Sequence, residues 1–247
     1  MKLTGNTVLV TGGASGIGLA IAERFLNAGS TVIICGRRAD KLNEAKEKHP
    51  ALHTIVCDVA QETDRIALLE RATAEFPQLN VLVNNAGIQR RVNIIEEQEP
   101  WSQTQQEIAI NLEAPIHLCN LFVPHLRQQA SAAIINVTSG LAFTPAVFAP
   151  VYCATKAALH SFTLSLRYLL RNTPVEVVEI VPPAVNTDLG GAGLHTFGAP
   201  LNEFADSVMQ RIDQGELEVG FGTSEVRRKA SREENDAFFQ EMNSRWA

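Results

Sequence analysis

No apolar run in this chain approaches the roughly 18 residues that a membrane-spanning helix needs. No block of lysine or arginine occurs either, and the net charge is −6. Neither nucleic acid nor an anionic membrane surface is therefore an expected partner. Close cysteine pairs are also missing. The four cysteines, Cys35, Cys57, Cys119 and Cys153, form no C-x-x-C, and Cys35 and Cys57 end apolar runs where a free thiol serves as a small hydrophobe. His49 and His53 are four apart with Pro50 between them, so helical ligand geometry is not available to them and no metal is expected. There is no Pro- or Gly-rich linker and no repeat of solenoid length. The 247 residues read as one domain over 1–222 and a charged tail over 223–247, helical in its second half. The opening "MKLTGNTVLVTGG" is too short in apolar content for a signal peptide and reads as a first strand, which makes a cytoplasmic protein the expectation.

What the chain does have is alternation. Short, β-branched and almost continuously apolar runs lie at 6–11, 30–35, 52–57, 79–84, 132–138 and 175–181, with a weaker one at 217–221. Runs of this kind suit strands buried on both faces of a parallel sheet. Between them fall amphipathic stretches that predict helices over Gly16–Ala28, Ala39–Lys48, Glu62–Phe76, Pro100–Arg127 and Val151–Arg171. Repeated β-α units with short loops predict an α/β fold, a doubly wound parallel sheet of about seven strands with helices on both faces. Residues 187–200, with four glycines, read as a mobile loop. In the tail, Phe238, Phe239 and Trp246 are the side chains able to dock it on the body or on a partner subunit.

"TGGASGIG" at 11–18 follows the first strand and opens the first helix. In that context Gly12, Gly16 and Gly18, with Ser15 and Ile17, form a loop whose N–H groups can approach a pyrophosphate at the positive end of the helix dipole. The second strand ends in "CGRR". Gly36 offers no carboxylate for ribose hydroxyls, whereas Arg37 and Arg38 could clamp a 2′-phosphate, so NADP(H) is favoured and NAD(H) remains possible. After the third strand, Asp58, beside Val59, can accept from an adenine amino group. "NNAG" ends the fourth strand at the same crevice and contributes Asn85, Ala86 and Gly87.

"VYCATKAALH", 151–160, contains one of only two tyrosines. The spacing puts Tyr152 and Lys156 one turn apart on a single helix face. A free phenol titrates near 10, too high for proton exchange at neutral pH, and a nearby ammonium would lower it into the range useful for a carbonyl–alcohol pair.

"TGGASGIG", "NNAG", Asn111, Ser139 and Tyr152-x-x-x-Lys156 occur in that order. Together they resemble the short-chain dehydrogenase/reductase family over residues 3–220, and the stretch around Tyr152 is most similar to its DltE-like bacterial oxidoreductases. The resemblance implies that Tyr152 is the general acid or base and that Lys156 depresses its pKa and bonds the nicotinamide ribose. It implies that Ser139 steadies the substrate oxygen, that Asn111 holds a proton-relaying water, and that Pro182, Val185 and Thr187 contact the nicotinamide carboxamide. Where the family has glycine, this chain has Pro183 in "VPPAVNTD", which fixes φ and removes an N–H. The resemblance further implies a homodimer or homotetramer through the helices carrying Asn111 and Tyr152.

Leu189, Leu194 and Phe197, with Leu141, Phe143 and Phe148, suggest a partly apolar pocket for a small or medium, largely apolar ketone or secondary alcohol. Arg90 or Arg91 could meet an anionic group, although an exposed arginine needs no special reason. Two other classes compete: a dinucleotide-binding sensor or scaffold without turnover, which the presence of both Tyr152 and Lys156 disfavours, and a sugar-nucleotide epimerase, which would want a separate substrate domain.

Overall fold

Residues 1–96 and 100–244 are described by a computed structural model. The seven apolar runs become strands β1 (Thr7–Thr11), β2 (Thr31–Gly36), β3 (His53–Val56), β4 (Val81–Asn84), β5 (Ala132–Val137), β6 (Val175–Val181) and β7 (Glu218–Gly220). All pair in parallel, in the order β3-β2-β1-β4-β5-β6-β7. This is the doubly wound Rossmann-type sheet.

Side-chain alternation feeds two separate cores. Val8, Val10, Val32, Ile34, Ile135 and Ile180 face one side, under helices α1 (Gly16–Asn27), α2 (Ala39–Lys48) and α7 (Leu201–Asp213). Leu9, Ile33, Leu82, Ile134 and Val177 face the other, under α3 (Glu62–Glu75), α5 (Ala114–Leu126) and α6 (Pro150–Leu170). Burial on both faces explains why the runs lack a polar alternation. The winding direction reverses between β1 and β4, and the crevice beyond their carboxyl ends is where such sheets bind ligands.

Two elements differ from the sequence reading. The helix expected over 100–127 is α4 (Trp101–Ile108), a π-helical turn over Ala109–Glu113, and α5. The wide turn centres on Asn111 and is braced from α3, where buried Arg65 bonds Glu113 Oε1 at 2.7 Å and the Val59 carbonyl at 2.7 Å. Helix α7 was not anticipated at all. It starts after Pro200 and buries Phe204, Ala205, Val208, Met209 and Ile212, the larger of which contribute roughly 1.5–3 kcal/mol each.

The tail folds back as α8 (Thr223–Lys229) and α9 (Arg232–Asn243), the latter opened by a Ser231/Glu234 capping box. Ser224 donates to the Val181 carbonyl at 2.5 Å. Asn243 spans the loop before α6, donating to the Pro145 carbonyl at 3.0 Å and accepting from Val147 N–H at 2.9 Å. Met242 packs against the cluster that contains Tyr152. Phe238 and Phe239 are half-buried, and Trp246 lies outside the described residues.

Candidate active site

The glycine loop is shaped by lack of space as much as by freedom of φ. Gly12 and Gly16 have positive φ, 63° and 54°, a conformation other residues rarely adopt. A Cβ on Gly18 would lie 2.4 Å from Asn85 Nδ2 and from the Gly12 carbonyl, and one on Gly13 would lie 2.6 Å from Ile34 Cγ2. Gly13 and Thr11 escaped the sequence reading. Thr11 Oγ1 accepts from the N–H groups of Asn85 and Ala86 at 3.0 and 3.1 Å, and the Asn85 amide donates back to the Thr11 carbonyl at 2.9 Å. The Asn85 side chain is therefore spent on holding the loop. At the start of α1, Ser15 makes no capping bond and the first turn carries no acid. Its N–H groups and its positive dipole end stay open to an anion. Ile17 packs its side chain against the core.

Around this loop, Arg37 and Arg38 are exposed at the end of β2, and no ion pair involves either among the described residues. Asp58 accepts from Ala60 N–H through Oδ1 at 3.0 Å, and Val59 is buried. Thr187 lies 3.5 Å from the place a Cβ on Gly16 would take, across the crevice from the loop. Pro182 accepts from Gly140 N–H at 2.8 Å, while the Val185 side chain turns into the core. A loop without room for Cβ atoms and an uncapped helix start fit the pyrophosphate of a nicotinamide dinucleotide.

On the far side of the crevice, Tyr152 is buried at the first turn of α6, at 6% exposure. Its hydroxyl faces Ser139, which works against the rise in the phenol's pKa; the Ser139 Oγ accepts from Leu141 N–H at 3.1 Å and so caps a 3-10 turn over Gly140–Ala142. Lys156 donates to the Val137 carbonyl at 2.8 Å, and its ammonium lies 5.7 Å from the Tyr152 ring centre. Asn111, buried in the π turn, accepts from Ile88 N–H at 2.9 Å and donates to the Ile88 carbonyl at 2.8 Å and to Thr155 Oγ1 at 3.3 Å. That grip holds the turn after β4, so that a Cβ on Gly87 would lie 3.4 Å from Asn111 Oδ1 and 3.7 Å from Lys156 Nζ. Tyr152, Lys156, Ser139, Asn111 and Gly87 thus converge from α6, β5, the π turn and β4.

Burial, which the sequence does not show, dominates the electrostatics of the pair. Burial holds the phenol above its usual value, Ser139 opposes the rise, and the charges of Cys153 and Glu107 add to it. Burial acts on Lys156 as well, bringing its ammonium down to about 8, since desolvation disfavours the charged form of either group. Glu107, buried on α4 and accepting from Arg90 N–H at 3.2 Å, was not singled out from the sequence. One glutamate on a polar helix carries no signal.

The six apolar residues expected to line a pocket are divided between different surroundings. Leu141, Phe148 and Leu189, with Met242, pack against Tyr152, Cys153, Ala146 and Ala149. Phe197 is instead 74% exposed, Leu194 packs near Gly191, and Phe143 stacks on His160 with ring centres 4.6 Å apart. The stretch 187–200, read as a mobile loop, is exposed over much of its length but anchored at points. His195 is buried within it, Gly190 abuts the Gln89 carbonyl, and the Asn186 N–H bonds the Ala199 carbonyl at 2.9 Å. Arg90 is half-buried and bonded to Gln103. Arg91 is exposed, with its guanidinium 5.0 Å from the centre of the Phe148 ring.

A dinucleotide loop at the switch point and a Tyr/Lys/Ser/Asn cluster beside it define an oxidoreductase class. Residues 6–195 match the family model for short chain dehydrogenase, and the chain belongs to that family. It is 48% identical over 249 aligned residues, covering 99% of each chain, to the uncharacterized oxidoreductase DltE of Bacillus subtilis (strain 168). Among solved structures it is similar to L-sorbose reductase from Gluconobacter frateurii, complexed with NADPH and L-sorbose. That similarity is 32% identity at a TM-score of 0.70 over 76% of this chain and 72% of that one. It is also similar to a 3-ketoacyl-(acyl-carrier-protein) reductase from Brucella melitensis complexed with NADH, at 25% identity and a TM-score of 0.80 over 89% and 97%.

Proposed function

We propose that the protein is an NADP(H)-dependent carbonyl reductase or alcohol dehydrogenase acting on a small, partly apolar ketone or secondary alcohol, with Tyr152, Ser139, Lys156 and Asn111 as its working residues. The observation that carries the reading is the convergence of Tyr152 and Ser139 with Lys156 and Gly87 beside the glycine loop. The bound dinucleotide supplies or accepts the hydride. Everything else falls to the chain. Tyr152 keeps its proton well above neutrality in the free protein, so it meets a carbonyl substrate in the acid form, and the charge developing on the substrate oxygen draws that proton across. Ser139 donates to the same oxygen and stabilises the charge that develops there. Lys156 is placed to hold the nicotinamide ribose, and Asn111 to fix the turn beside it and to hold the water through which protons reach Lys156. Gly12, Ser15, Gly16, Ile17, Gly18, Asn85, Ala86, Gly87, Asp58, Val59, Pro182, Val185 and Thr187 complete the cofactor cradle. Leu141, Phe148, Leu189 and Met242 form an apolar wall for the substrate beside Tyr152.

The preference for NADP(H) rests on Arg37 and Arg38, exposed at the end of β2, where a carboxylate would otherwise select NAD(H). Titrating the protein with NADPH and with NADH, followed by nicotinamide fluorescence, tests it. Wild type should bind NADPH more tightly, and Arg37→Ala combined with Arg38→Ala should weaken NADPH by at least about tenfold while leaving NADH within about twofold. Equal affinities in wild type would remove the phosphate clamp and leave the Tyr152 chemistry standing.

A further inference from the structure

Three consecutive residues at the end of β5 each hold a different group. The Val137 carbonyl accepts from Lys156, and Ser139 faces the Tyr152 hydroxyl. Thr138, between them, donates to Glu179 Oε1 at 2.6 Å. Glu179 sits on β6, between β5 and β7, with 0% exposure. Its two carboxylate oxygens face His160 Nδ1 at 3.0 and 2.9 Å. His160 in turn lies one turn beyond Lys156 on α6, on the same helix face. A buried carboxylate is costly unless it is paired and hydrogen-bonded, and here its partners come from the strand and the helix that build the site.

We propose that Thr138, Glu179 and His160 form a charged positioning chain that fixes the end of β5 against α6, and so sets the distances of Ser139 and Lys156 from Tyr152. The proposal rests on the reading of Tyr152 as the proton-transfer group. Misplacing such groups by about 1 Å can cost on the order of a hundredfold in rate, so a chain two bonds removed from the chemistry has leverage on it. The groups facing the imidazole agree with a charged pair. Glu179 from β6 is the largest influence and raises its pKa, burial opposes, Glu218 from β7 raises it, and Arg167 on α6 lowers it. Phe143 covers one ring face, and Glu218 is itself engaged by Arg228 of α8 at 3.2 Å. His160 therefore stays protonated to higher pH than a free histidine. Above that value it can still donate through Nδ1–H, but the countercharge to Glu179 is gone.

The test is steady-state kinetics across pH with NADPH and the carbonyl that wild type turns over fastest, for wild type, Tyr152→Phe, Glu179→Gln and Thr138→Val. Histidine ring titration is followed by NMR alongside, with His160 assigned from a His160→Gln sample. Glu179→Gln keeps the shape and removes the charge. With Tyr152→Phe inactive, Glu179→Gln should lower kcat at least about tenfold with KM for NADPH within about twofold. The wild-type kcat profile should carry a limb at the pH where His160 titrates, and Glu179→Gln should lack it. Should Glu179→Gln not fold, Thr138→Val carries the test, with kcat reduced at least about threefold and KM unchanged. Folded variants with wild-type kcat and an unshifted profile, in a background where Tyr152→Phe is inactive, would overturn the proposal alone. An active Tyr152→Phe, or a wild type that reduces no carbonyl, would overturn the site reading and the proposal with it.

Discussion

Lys156 is the residue on which burial and function pull hardest against each other. Its ammonium is enclosed, bonded to the Val137 carbonyl, and brought down to about 8. A lysine depressed in the folded state binds fewer protons there than in the unfolded chain, so its burial costs stability below pH about 8 and that cost fades as pH rises towards its ordinary value. Compared with Lys156→Met, wild type should gain on the order of 2–3 kcal/mol between neutral pH and pH about 10, whatever the lost hydrogen bond costs at all pH values alike. Denaturant unfolding of both proteins at the two pH values measures this, and a pH-independent difference would contradict it. The Tyr152/Lys156 pair was legible because a four-residue spacing fixes a shared helix face. The direction of the Tyr152 shift was not, because burial is a property of the fold. Thr11, Glu107 and Glu179 were silent for the same reason: their partners lie far away in the chain, and a lone polar residue in a strand or helix has many ordinary uses.

At the scale of elements, the apolar runs predicted all seven strands, since burial on both faces leaves an unbroken signature. The π turn around Asn111 left no such mark, because it is held by Arg65 and by the Ile88 backbone rather than by its own sequence. Helix α7 was legible after all: Phe204, Ala205, Val208, Met209 and Ile212 repeat at helical spacing, and the glycine-rich stretch before them drew the eye away. Helix α6 carries a further consequence. Leu159, Leu166 and Leu170 face the core, whereas Leu164, Tyr168 and Leu169 stay outside, Leu169 at 72% exposure. We propose that this outer stripe is the homodimer or homotetramer contact. Leu169→Glu should shift the protein towards monomer in light scattering, and a wild type that is already a clean monomer at micromolar concentration would refute the assignment.

Over the whole molecule, two cores sandwich one sheet, and the reversal of strand order between β1 and β4 sets the glycine loop opposite α6. No helix among the described residues is long and apolar enough to cross a membrane. The tail docks on the loop before α6 through Asn243 and brings Met242 to the Tyr152 cluster; docking on the body was one of the alternatives its sequence offered, though through Phe238, Phe239 and Trp246 rather than these residues. The most direct test of the account is a single-turnover measurement of NADPH oxidation over a panel of small ketones, with wild type and Tyr152→Phe. The account predicts that wild type oxidises bound NADPH with at least one ketone, and that Tyr152→Phe binds NADPH equally well yet reacts about 10²–10⁴-fold more slowly. A Tyr152→Phe protein that reacts at the wild-type rate would contradict it.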